Sequence, residues 1–101
     1  MEIKISYGKD KKNFSDFERG AVNRIVKKYY ERFQRYFENI GSFEVYLKCF
    51  LKKGNVKRYD VKIKVIVPGF CFESDSEDFK ITDALNKGFE KILNEIKHKF
   101  E

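Results

Sequence analysis

Residues 42–74 read SFEVYLKCFLKKGNVKRYDVKIKVIVPGFCFES, and the period of this stretch decides the fold. Phe43, Val45, Leu47, Cys49 and Leu51 alternate with Glu44, Tyr46, Lys48 and Phe50. A two-residue repeat of this kind is a strand with one buried face. The turn KKGN follows, where Gly54 and Asn55 tolerate positive φ. Beyond it Tyr59, Val61, Ile63, Val65 and Val67 alternate with Asp60, Lys62, Lys64 and Ile66. Pro68-Gly69 marks a second tight turn, because proline presets φ and glycine accepts the next corner. A short strand FCFES then runs into SDSED, residues 74–78, which reads as an acidic turn whose charges favour the start of the next helix. Strands joined by such short turns are antiparallel.

Working outward, the period on both sides is helical. Upstream, EIKISY (2–7) is a short half-buried strand and GKDKKN (8–13) a polar loop. Ser15-Asp16-Phe17-Glu18 is a capping box, with a serine hydroxyl for a terminal N–H and a glutamate reaching back. From Val22 through Ile25, Val26, Tyr29, Tyr30, Phe33, Tyr36 and Phe37 to Ile40, apolar residues recur at steps of three and four. This first helix is expected to end at Gly41. Downstream, residues 79–101 carry a second stripe of Ile81, Leu85, Gly88, Phe89, Ile92, Leu93, Ile96 and Phe100, with Gly88 suited to close approach of helix and sheet. The order β-α-β-β-β-α predicts one α+β domain over residues 1–101. It is a two-layer sandwich with a four-stranded mixed sheet and both helices on one face. The first helix makes a right-handed crossover between parallel strands one and two.

Composition limits the function. The chain has 101 residues, 42% hydrophobic, 38% charged and 17% aromatic, enough for a core inside a charged exterior and too aromatic for disorder. Cys49 and Cys71 are too few for a disulfide scaffold and sit in strand-like runs. No stretch suits a bilayer, and MEIKISYGKDKK lacks the apolar run of a secretory signal, so a cytoplasmic, reducing location is expected. Catalysis finds no support: His98 is the single histidine, and no nucleophile, paired carboxylate or phosphate-cradling glycine motif can be nominated. The run ESDSED lacks the spacing of a metal loop. No enzyme activity, cofactor, metal or small-molecule substrate is expected.

A formal net charge of +6 makes a polyanion a plausible partner. Placement decides whether it is more than solubility. On a wheel of the first helix, Arg24, Lys28, Arg32 and Arg35 fall within an arc of roughly 80° away from the apolar side. On the last helix Lys80, Lys87, Lys91 and His98 line up within roughly 40°. Between residues 43 and 67 there are seven basic residues against two acids, and the tip, with Lys52, Lys53, Lys57 and Arg58, has none. For Lys62 and Lys64 protection of a strand edge is an equally good account. Three separate elements with the same segregation favour phosphate binding, in which counterion release drives affinity and little sequence is read. With both helices on one face, their basic rows are expected to merge into one surface.

The tail VPGFCFESDSEDFKITDALNKGFEKILNEIKHK, together with RFQRYFENI and the β-α-β-β-β-α order, resembles the ribosome hibernation-promoting factor family, also called protein Y. The resemblance covers nearly the whole chain. It implies a four-stranded sheet with both helices on one face. It also implies binding to the small ribosomal subunit and its rRNA in the channel that mRNA and tRNA use, which silences idle ribosomes. Carried over by position, it points to Lys28 and Arg32 on the first helix and Lys91 on the second. Asn94 and Glu95 stand where many members have an arginine and a glutamine. The chain is similar to the short form, without the dimerising domain of the long form, and a monomer off the ribosome is expected. Two other readings compete. One is a general double-stranded-RNA binder. The other is a protein-interaction module using the open sheet face, where Tyr46 and Phe50 point away from the core; cross-strand packing is the better account of those two aromatics than base stacking, because the strand order differs from that of RNA-recognition motifs.

Overall fold

The structure is a computed structural model that describes residues 3–100; Glu2 and Glu101, at the ends of the first strand and last helix as read, lie outside them. Strand β1 (Ile3–Ser6) leads through a 3-10 turn (Gly8–Asn13) to helix α1 (Asp16–Phe33). Strands β2 (Ser42–Leu51), β3 (Lys57–Val67) and β4 (Phe70–Asp78) follow, then helix α2 (Ile81–Phe100). The sheet runs β1-β2-β3-β4, with β1 parallel to β2 and the other pairs antiparallel. The expected α+β sandwich is the observed one.

Register explains why one face is dry. Ile3, Phe43, Val65 and Phe72 stand abreast, and beside them Ile5, Val45, Ile63 and Ser74. Both helices lie over this face. The fully buried Phe43 ring meets Tyr30 and Phe33 of α1 at 5.1 and 5.4 Å between centroids, and stacks on Phe89 of α2 at 5.6 Å. The helices run parallel: Tyr29 meets Phe89, and further along both chains Phe37 meets Phe100. α1 starts as its sequence requires, with Ser15 accepting from the Glu18 N–H at 3.0 Å and the Glu18 carboxylate accepting from the Ser15 N–H at 2.9 Å. The β2–β3 turn uses Gly54 and Asn55 at φ of 72° and 65°.

The structure corrects four readings. β4 does not stop at Ser74 but runs through the supposed acidic turn to Asp78. Its alternation continues with Ser74 and Ser76 inward and Glu73, Asp75 and Glu77 outward, against Lys64, Lys62 and Asp60 of β3. Small inward residues are needed because α2 comes close here: a Cβ on Gly88 would lie 2.8 Å from Ile63 Cδ1 and 3.0 Å from Ser76 Oγ. Helix α1 ends at Phe33, not Gly41. Three-residue bonds (Arg35 N–H to Arg32 O, Tyr36 N–H to Phe33 O) tighten the chain, and it descends to the sheet, where the Gly41 N–H bonds Ile66 O at 2.8 Å. Phe37 and Ile40 pack against the core from this descent, which is why their spacing looks helical. Residues 8–13 form a 3-10 turn rather than an open loop, and Asp10 ties it to β2 by accepting from the Cys49 N–H at 3.2 Å. Leu51, assigned to the buried face, lies beyond the helices and is exposed.

The close approach at Gly88 sets an expectation. Gly88→Val overpacks a site bounded by the fully buried Ile63, at a cost of about 1–3 kcal/mol, read as a lower urea midpoint with unchanged slope.

Candidate nucleic-acid interface

Helix α1 buries Val22, Val26, Tyr29, Tyr30 and Phe33, which turns Arg24 and Lys28 to solvent; Arg35, expected on the same helix, is exposed on the turn just beyond its end. None of these three side chains makes a hydrogen bond or ion pair with another described residue; Lys28 only lies over the Tyr29 ring, 5.5 Å from its centroid. Arg32 behaves differently. Half-buried, it donates to Glu90 Oε2 of α2 at 3.0 Å and its guanidinium covers the Tyr29 ring at 5.2 Å. The Tyr29 hydroxyl lies 2.8 Å from the same carboxylate oxygen and 3.0 Å from Asn86 Oδ1. Burial, and then the bond to Glu90, push the Tyr29 hydroxyl up to about 12. Burial alone would raise Glu90, but the hydrogen bonds from Tyr29 and Arg32 hold its carboxyl below the usual range. Tyr29, Arg32, Asn86 and Glu90 therefore clamp the two helices together.

Two cations of the last helix, Lys87 and Lys91, are also committed. Lys87 Nζ donates to the Glu77 carbonyl at 2.9 Å and pairs with Asp78 at 2.8 Å; Lys91 Nζ donates to the Asp75 carbonyl at 2.7 Å. These carbonyls lie on β4, the last strand of the sheet. Lysines there cap an edge that would otherwise template pairing with another chain. The α2 row thus leans toward β4, away from α1, and Glu90 stands beside Arg32 between the two helices. The expected single merged surface is instead two basic zones with a clamp between them.

At the hairpin tip Lys52 and Lys53 are exposed and unpaired among the described residues. Lys57 donates to the Asn13 carbonyl at 2.8 Å. Arg58 pairs with Asp60 at 3.2 Å and covers the Phe50 ring at 4.8 Å. Lys57 places the tip beside the start of α1, so the free tip lysines share an end of the molecule with that helix's positive pole. Of the candidate contacts on the first helix stretch and the hairpin tip, those left for a ligand are Arg24 and Lys28 on α1, Arg35 in the turn after it, and Lys52 and Lys53 at the tip.

One row of the open sheet face alternates in charge: Lys4, Glu44, Lys64 and Glu73 stand abreast. Tyr46 donates its hydroxyl to Glu44 of this row, and Phe50 lies under Arg58. Both aromatics are occupied within the sheet. Among the described residues no acidic, cysteine or histidine group is arranged to hold a metal, and no helix is long and apolar enough to cross a membrane. Sequence reasoning missed the roles of Tyr29, Asn86 and Glu90: Glu90 reads as a flanking acid on its own wheel, and only the neighbouring helix reveals it.

The clamp carries a pH signature. A carboxyl whose folded pKa is depressed stabilises the fold above its unfolded value, and that contribution is lost as pH falls through the folded one. Glu90→Gln is therefore expected to flatten the acid limb of the melting temperature, measured from neutral pH down through the carboxylate range.

No protein-family model and no curated protein matches the chain. Solved structures do. A ribosomal subunit interface protein from Coxiella burnetii matches over 100% of both chains, with TM-score 0.66 and 12% identity. The N-terminal domain of protein Y from Thermus thermophilus matches over 97% of this chain and 96% of that one, with TM-score 0.67 and 20% identity. The chain has the fold of the protein Y N-terminal domain.

Proposed function

We propose that this chain is a ribosome-associated factor of the hibernation type. It binds small-subunit ribosomal RNA in the mRNA and tRNA channel, occupies it sterically and so inhibits translation. The observation that carries the reading is the row of unpaired cations formed by Arg24 and Lys28 on α1 and Arg35 just past its end, on a fold shared with a ribosomal subunit interface protein. Fold alone does not give function; the row supplies a chemistry, phosphate contact at helical spacing on a rigid support. Lys52 and Lys53 extend it at the tip. In this reading Arg32, Lys87, Lys91, Lys57 and Arg58 hold the frame first and face RNA second. The protein acts as a cytoplasmic single-domain monomer until it meets a ribosome, and no catalytic step is involved.

The test is co-sedimentation with small subunits at moderate salt, challenged with plain duplex RNA. Binding that resists a large excess of duplex supports a ribosomal site. Equal competition identifies a general double-stranded-RNA binder instead.

A further inference from the structure

The chain treats the two edges of its sheet unequally. At the β4 edge, Lys87 and Lys91 occupy the carbonyls of Glu77 and Asp75 that an incoming strand would need. At the other edge β1 has no such guard among the described residues. A groove of about 310 Å³ opens between β1 and α1 instead. Ile3, Ile5, Val26 and Tyr30 line it, with Lys27 and Glu31 also at its wall. Ile3 and Ile5 remain half-buried, although the residues abreast of them in β2 and β3 (Phe43, Val45, Ile63 and Val65) are fully buried. The apolar layer ends one strand short of closure.

We propose that the outer edge of β1 accepts an extended segment of a partner protein as a fifth strand, and that this segment reads apolar–acidic–apolar. Main-chain hydrogen bonds supply affinity in such strand addition, and alternate side chains supply specificity. The side chains abreast of Ile3 and Ile5 enter the groove beneath α1, which requires them to be apolar. The chemistry of the residue between them follows from the open face. Across the sheet Glu73, Lys64, Glu44 and Lys4 alternate in sign, and opposite charges on directly paired residues stabilise while like charges destabilise. The next position beyond Lys4 calls for an acid. A second copy of this chain fits less well, because it brings another Lys4 and a further net charge of +6 to the same edge.

The experiment titrates the isotopically labelled full chain with short synthetic peptides, one alternating valine and glutamate and one alternating valine and lysine. The expected result is amide shift changes at Ile3–Ser6, Val26 and Tyr30, with the glutamate peptide bound several-fold more tightly. Lys4 is exposed, so Lys4→Glu is expected to stay folded by circular dichroism and to reverse the preference, while Lys4→Ser removes it. Absence of shifts, shifts on another face, or an unchanged preference in Lys4→Glu overturns the proposal. So does self-association through β1 in sedimentation equilibrium without peptide.

Discussion

Replacing Arg24, Lys28 and Arg35 together with glutamate is expected to abolish co-sedimentation with small ribosomal subunits at moderate salt and to leave the fold intact. The three side chains are exposed and bond no other described residue. Surface changes of this kind usually alter stability by no more than about 0.5 kcal/mol each. The change lowers the formal net charge from +6 to zero. Each lost phosphate contact reduces the salt slope of binding by about one, so a slope shallower by about two in a weakened double variant would show that these cations work through phosphates. Arg32 and Lys91 make poorer probes. Reversing Arg32 places an acid beside Glu90, and reversing Lys91 uncaps the β4 edge, so lost binding there has a structural explanation as well. Unchanged co-sedimentation of the triple variant would show that this helix face is not the contact.

Phe43→Ala is expected to give the largest loss of stability of any single substitution considered. The side chain is fully buried and touches Tyr30, Phe33 and Phe89, so it joins β2 to both helices at once. Truncating a buried phenylalanine costs about 3–5 kcal/mol. Domains of this size are stable by only about 5–15 kcal/mol. Guanidinium denaturation should show a midpoint displaced far toward zero denaturant. Ribosome binding should fall in step with the folded fraction, since the α1 row is positioned by the packing of its helix. A loss below about 1 kcal/mol would mean that the helix layer does not rest on Phe43 as described.

Most of the fold is legible in the sequence because its signals are local and periodic. The alternation from Phe43 to Val67, the capping box at Ser15 and the Gly54-Asn55 turn each follow from residue chemistry within a few positions. What escaped is non-local. Ser74 and Ser76 do not look like inward positions until Gly88 is known to press on them, so the sequence pattern ends β4 four residues short. Phe37 and Ile40 keep a helical spacing while the backbone has already turned toward the sheet. The candidate site was legible in the same uneven way. A helical wheel identifies which residues leave the core, and it does so correctly for Arg24 and Lys28; Arg35 is exposed too, but from the turn after the helix has ended. It does not show how far a helix is rolled against its neighbours. On their wheel Lys87 and Lys91 join the α1 row, whereas in the structure they lean to the β4 edge, and Arg32 meets a carboxylate 58 residues away.

The contact between the α1 face and ribosomal RNA is tested most directly by photo-crosslinking from two positions on the same folded chain. Position 31 lies on α1 between Lys28 and Arg35, and position 62 lies on the open sheet face; both side chains are exposed and leave the α1 cations in place when replaced by a photoreactive residue. With small subunits, position 31 is expected to crosslink to ribosomal RNA and position 62 is not. RNA crosslinks from position 62 with none from position 31 would contradict the account.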